Sequence, residues 1–89
     1  MIQQAKPTPN RVREAVETLI ERNNRRGDIN LRLPEDGLYE QEDWIHVILL
    51  PARPGIRATD FVERLLELES ELKQNVQYDH IMLLPARGD

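Results

Sequence analysis

Residues His46 to Arg53 read HVILLPAR, and 34 positions further on His80 to Arg87 read HIMLLPAR, with six identities and two apolar replacements. A short aliphatic and β-branched run closed by Pro is a strand signal, and thirty-odd residues is about the length of a βαβ unit. The echo therefore predicts two parallel strands joined by a helix. No complete catalytic or cofactor motif sits on it, so it constrains architecture more than chemistry.

The rest of the chain supplies one more helix and one more strand. Thr8 and Pro9 make a helix start, Thr as N-cap and Pro in the first turn. Val12, Ala15, Val16, Leu19 and Ile20 then recur at helical spacing. The basic cluster Arg22, Arg25, Arg26 followed by Gly27 suits the helix's negative end and a left-handed stop, which places the first helix at 9–26. Ile29, Leu31 and Leu33 alternate with Asn30 and Arg32, the period of a strand with one face buried. The acidic stretch Pro34 to Asp43 reads as a long turn, with Leu38 and Tyr39 able to add a short pairing. The second strand is expected at 44–50, antiparallel to the first. Asp60 with Glu63 resembles a capping box, and Phe61, Val62, Leu65, Leu66, Leu68, Leu72 and Val76 line the second helix. The last strand is expected at 78–84. Each expected strand ends in Leu-Pro, because proline holds the residue before it extended and withholds the next ladder donor.

The expected fold is therefore α+β: a two-layer αββαβ domain with a three-stranded mixed sheet and two helices mainly on one face. Residues 1–8 form a flexible N-terminal arm and 9–89 a single domain. The first strand lies at an edge, beside either the second or the third. Side-chain alternation puts Ile45, Val47, Leu49, Ile81 and Leu83 on one aliphatic face, assigned to the helices. The opposite face collects Trp44, His46, Ile48, Leu50, Tyr78, His80, Met82 and Leu84, too much apolar and aromatic area to leave in water.

Composition narrows function by exclusion. A chain of 89 residues buries only about 60 to 65% of its extended surface, so association could add needed stability. Cysteine is absent, which rules out disulfides and thiolate zinc sites. The opening MIQQAKPTPN has no apolar signal segment, and the run Ile45 to Leu50, interrupted by His46, is too short to span a bilayer. A cytoplasmic, non-membrane protein is expected. The net charge is −4, with residues 1–33 at +3 and the remainder at −7. Basic Arg11, Arg22, Arg25 and Arg26 on the first helix offer a nucleic-acid surface, but Glu14, Glu17 and Glu21 interleave with them, and an acidic whole opposes phosphate binding.

Chemistry is thinly provided for. Ser70 is the sole serine and lies in the second helix, so a hydroxyl triad has no support and no catalytic residue is assigned. The carboxylates of that helix have the spacing of a wet face, with Glu69 and Lys73 an i,i+4 pair. His46 and His80 hold matching places in the echo and, one strand spacing of about 5 Å apart, are candidate metal ligands with Asp43 or Asp79. Two imidazoles without a defined third ligand do not make a site, and no cofactor is expected. Arg53, Arg57 and Arg87 gather at the carboxyl ends of the parallel strands, where anions favour a helix N-terminus. The terminal Arg87-Gly88-Asp89 spells an adhesion tripeptide that short matches produce by chance.

The leading expectation is a small intracellular interaction or regulatory subunit, not an enzyme, that forms a homodimer or docks a protein partner through the face bearing Trp44 to Leu84. The first alternative is an anion or phosphate ligand, bound or acted upon at Arg53, Arg57 and Arg87. The second is nucleic acid on the first helix.

Overall fold

The structure, a computed structural model, describes residues 6–86. Helix α1, Pro9–Asn24, starts as its residues dictate, with the Thr8 side chain accepting the Arg11 N–H at 3.2 Å and Pro at the first position. It stops two residues before the expected end, with Arg25 as its C-cap and Gly27 at φ 76° turning the chain away. Val12, Val16 and Leu19 are its buried stripe. Of the expected arm, residues 1–5 lie outside the described residues, while the Lys6 ammonium donates to the Glu42 carbonyl at 3.3 Å and pairs with Glu40 at 3.2 Å.

Strands β1 (Leu31–Arg32), β2 (Leu38–Gln41) and β3 (Trp44–Pro51) are followed by helix α2 (Ala58–Val76) and strand β4 (Ile81–Pro85). The order is αβββαβ, with four strands where three were expected. β1 and β2 both pair antiparallel with β3, and β4 runs parallel to β3 on its other side. The edge strand thus neighbours the second predicted strand, settling the choice left open by sequence. β1 and β2 share one lane: Leu33 to Gly37, five residues, stand opposite only Ile48 and Leu49. The surplus loops out through a turn in which Gly37 N–H donates to the Pro34 carbonyl at 3.0 Å, and Ile48 N–H then returns to the Gly37 carbonyl at 2.7 Å. The real hairpin reversal is Glu42-Asp43, with Glu42 at φ 59°, so the stretch expected to be one long turn contains a strand.

Helix α2 begins at Ala58 with Arg57 at its N-cap, which makes no side-chain capping bond. Asp60 is therefore an acidic residue within the first turn, not the cap that the Asp60/Glu63 pattern suggested. At its other end Gln77 adopts the left-handed conformation, φ 55°. That reversal removes Tyr78 from the strand: the residue expected on the open face is buried, 7% exposed, with its hydroxyl donating to the Asp43 carbonyl at 2.6 Å.

Both helices pack on one side of the sheet, α1 against β1 and β2, α2 against β4, and against each other. The core between them holds Ile45, Val47, Leu49, Ile81 and Leu83, the face predicted for the helices, closed by Val12, Leu65 and Leu72. Polar bonds tie the helix pair to the loop that leads into the sheet. The buried Arg64 guanidinium grips Asp28 with two bonds, 2.6 and 3.2 Å, and donates to the Asn23 side chain. The Asn24 amide bonds both the N–H and the carbonyl of Leu31, at 2.9 and 3.0 Å, as a neighbouring strand would. Arg64, first, and the Ile29 N–H hold the Asp28 carboxyl well below the usual carboxylate range, and Asp28 raises Arg64 in turn.

Candidate interaction face

Alternation along β3 sends Ile45, Val47 and Leu49 to the helices and Trp44, His46, Ile48 and Leu50 to the opposite side. Their lateral neighbours share that side. Tyr39 lies beside His46 and Gln41 beside Trp44 on β2, Arg32 lies beside Leu50 on β1, and Met82 and Leu84 lie beside His46 and Ile48 on β4. Tyr39 (41%), Trp44 (38%) and Met82 (37%) are large apolar side chains exposed on this one face. The remaining exposed large apolar residues among those described, Val62 and Leu66, are an isolated i,i+4 pair on α2.

Aromatic stacking organises the face into two rows. The Tyr39 and His46 rings stack across β2 and β3 with centroids 4.7 Å apart and planes 3° from parallel. One row along, Trp44 and His80 stack at 4.8 Å and 20°, with buried Tyr78 meeting the His80 ring edge-on at 5.6 Å. Each histidine is thus engaged with a different aromatic. The two imidazoles do not face each other, because the echo aligns His46 with His80 whereas the sheet pairs His46 with Met82. That two-residue offset removes the geometry expected for a shared metal, and no cluster among the described residues could hold one. The His46 Nδ1 is buried without a hydrogen-bond partner.

The free edge of β4 is partly blocked to further strands. Ile45 N–H donates to the His80 carbonyl and Ala86 N–H to the Leu49 carbonyl, so the even-numbered residues of β4 bond to β3 and the odd-numbered ones point outward. Of these three, Leu83 gives its N–H to Glu69 Oε1 of α2 at 2.9 Å and Pro85 has none to give, while Ile81 keeps an outward-facing N–H. A side-chain acceptor and a proline at an edge are devices against strand addition.

No family model, no curated protein and no solved structure matches this chain.

The other predicted sites fare differently. Arg53 and Arg57 line one groove of about 350 Å³ at the carboxyl end of β3, together with Asn30, Asp28 and Asp60, whose carboxylates offset the cationic field an anion would need. Arg87 lies outside the described residues. Of the predicted basic stripe, Arg11 lies in the first turn of α1, and Arg22 near its end pairs with Glu71 at 2.6 Å. Just beyond the helix Arg25 pairs with Glu21 at 3.1 Å and Arg26 with Asp28 at 3.7 Å, so most of the stripe is already engaged by carboxylates. No helix among the described residues is long and apolar enough to cross a membrane.

Sequence reasoning missed Tyr39 as a stacking partner, Arg32 at the margin of the face, Glu69 at the edge and the Arg64 network. Only Arg64 left a signal, a cation three residues after Phe61 and four before Leu68 on the apolar stripe of α2.

Proposed function

We propose that this chain is a small non-enzymatic interaction subunit, working inside the cell, that pairs with a second copy of itself through the open sheet face. The observation that carries the reading is the placement of Tyr39, Trp44 and Met82, exposed together on the side of the sheet that neither helix covers. Exposed apolar patches of this kind mark association surfaces. A one-sided two-layer fold needs a second layer against its bare sheet, and an identical sheet supplies one at the usual spacing of about 10 Å.

The dimensions suit a modest dimer. Eight residues of β3 at ~3.3 Å and three lanes at ~4.8 Å give a face about 26 by 14 Å. Two such faces amount to about 730 Å² of flat area, below the ~1,000 Å² expected of a specific, tight interface. Micromolar affinity is the matching expectation, since little surplus remains after the cost of association.

Sedimentation equilibrium across the micromolar range tests the proposal. Wild-type protein should shift from one to two chain masses as concentration rises, and Ile48→Asp and Met82→Glu, both outside the helix-facing core, should each remain monomeric and folded by circular dichroism. Dimerisation unchanged in both variants would place the contact elsewhere and refute the reading.

A further inference from the structure

The apolar face has charged ends of opposite sign. At the hairpin end, next to Trp44, stand Glu42 and Asp43, both exposed. At the other end, Arg32 sits beside Leu50 and shares the open face, while Arg53, two residues beyond the end of β3, lines the groove with Asp28 and Asp60. Arg32 has no ion-pair partner among the described residues, and neither has the side chain of Glu42, Asp43 or Arg53. Between the two ends the face is built of Tyr39, Gln41, Trp44, His46 and Ile48 with Met82 and Leu84 alongside, with no carboxylate, lysine or arginine. The seven residue steps from Trp44 to Pro51 separate the ends by about 23 Å.

Resting on the self-association proposed above, we infer that the two copies pack with their β3 strands antiparallel, the Arg32 end of each over the Glu42 and Asp43 end of the other. A two-fold axis lying between the sheets can run along the strands or across them. Along the strands, it places like end on like end, bringing arginines against arginines and carboxylates against carboxylates. Across the strands, it reverses the partner, so every charged end meets its opposite, and both ends are satisfied at once because the contact is isologous. Like-charge juxtaposition at an interface is costly, and complementary ends fix its register.

Charge reversal separates the two arrangements, because symmetry makes each substitution count twice. Three proteins are compared by sedimentation equilibrium at low salt: wild type, Arg32→Glu, and the double variant Glu42→Lys with Asp43→Lys. In the antiparallel dimer each variant alone meets two repulsive ends and should dimerise about tenfold more weakly than wild type. An equimolar mixture of the two should regain wild-type affinity as a heterodimer. At one end of that heterodimer the carboxylate introduced at position 32 faces the two introduced ammonium groups, and at the other end native Arg32 faces native Glu42 and Asp43. In the parallel dimer, like ends meet like ends before and after reversal. Each variant would then match wild type, and the mixture would bind more tightly than wild type. That result, or no effect in any combination, overturns the antiparallel arrangement while leaving self-association intact. A wild-type chain that stays monomeric overturns both and leaves the face to a different partner.

Discussion

Replacing Glu69 by Ala removes the acceptor that occupies the Leu83 N–H at the β4 edge, and the structure sets the size of the effect. Glu69 Oε1 lies 2.9 Å from the Leu83 N–H, and its other oxygen is 3.7 Å from the Lys73 ammonium. A hydrogen bond to a charged group contributes about 1.5 to 3 kcal/mol. The Glu69 side chain is 20% exposed, so water recovers part of the loss and the lower bound of about 1.5 kcal/mol applies. The helical pair with Lys73 adds about 0.4 kcal/mol, and the better helix propensity of Ala returns a similar few tenths. The net loss of about 1.5 kcal/mol corresponds, at about 4 to 8 °C per kcal/mol for a domain of this size, to a melting temperature lower by about 6 to 12 °C. Glu69→Gln keeps a carbonyl acceptor and should lose about half as much. Thermal unfolding by circular dichroism gives the shift, and amide exchange by NMR reads the bond directly, Leu83 being protected in wild type and exposed in the Ala variant. An Ala variant that melts within about 2 °C of wild type, with Leu83 still protected, would refute this role at the edge.

Other consequences follow from the same geometry. Gly37→Ala would place a Cβ 2.7 Å from the Ile48 carbonyl oxygen and 2.9 Å from Pro34 Cγ, so the looped-out turn must shift against backbone. A loss of about 1 to 3 kcal/mol in urea unfolding is expected, and wild-type stability would show that the turn yields freely. Asp28→Asn leaves the buried Arg64 guanidinium with only the longer 3.7 Å contact to Glu67 for an anion and should destabilise the fold at neutral pH. Because folding lowers the Asp28 pKa, its contribution is complete above the unfolded value of about 3.9 and is lost as pH falls toward the lower folded value. The stability gap between wild type and Asp28→Asn should therefore narrow on acidification below about pH 4. A gap independent of pH would show that the pair does not act through charge.

The strands were legible where their signal is local. The LLPAR echo placed β3 and β4, the Leu-Pro pairs marked strand ends, and Thr8-Pro9 started α1, because apolar runs, proline stereochemistry and capping chemistry act within a few residues. Pairing register is set between distant segments, and there local likeness misleads: the echo equates His46 with His80, while the sheet sets His46 against Met82. Tyr78 was misplaced for a related reason, since parity holds only along a strand and Gln77 at φ 55° ends the helix just before it. β2 was half visible as Leu38 and Tyr39, inside a stretch whose acidic residues and glycine suggested turn throughout. Arg64 and Glu69 gain their roles from contacts 36 and 14 residues away, which helical periodicity does not encode.

If the uncovered sheet face seats a second copy of this chain, as we propose, the most direct test is the mass of the untagged wild-type protein in solution as a function of concentration. Sedimentation equilibrium should show a reversible change from one to two chain masses in the micromolar range. A single chain mass at every concentration would contradict the proposal.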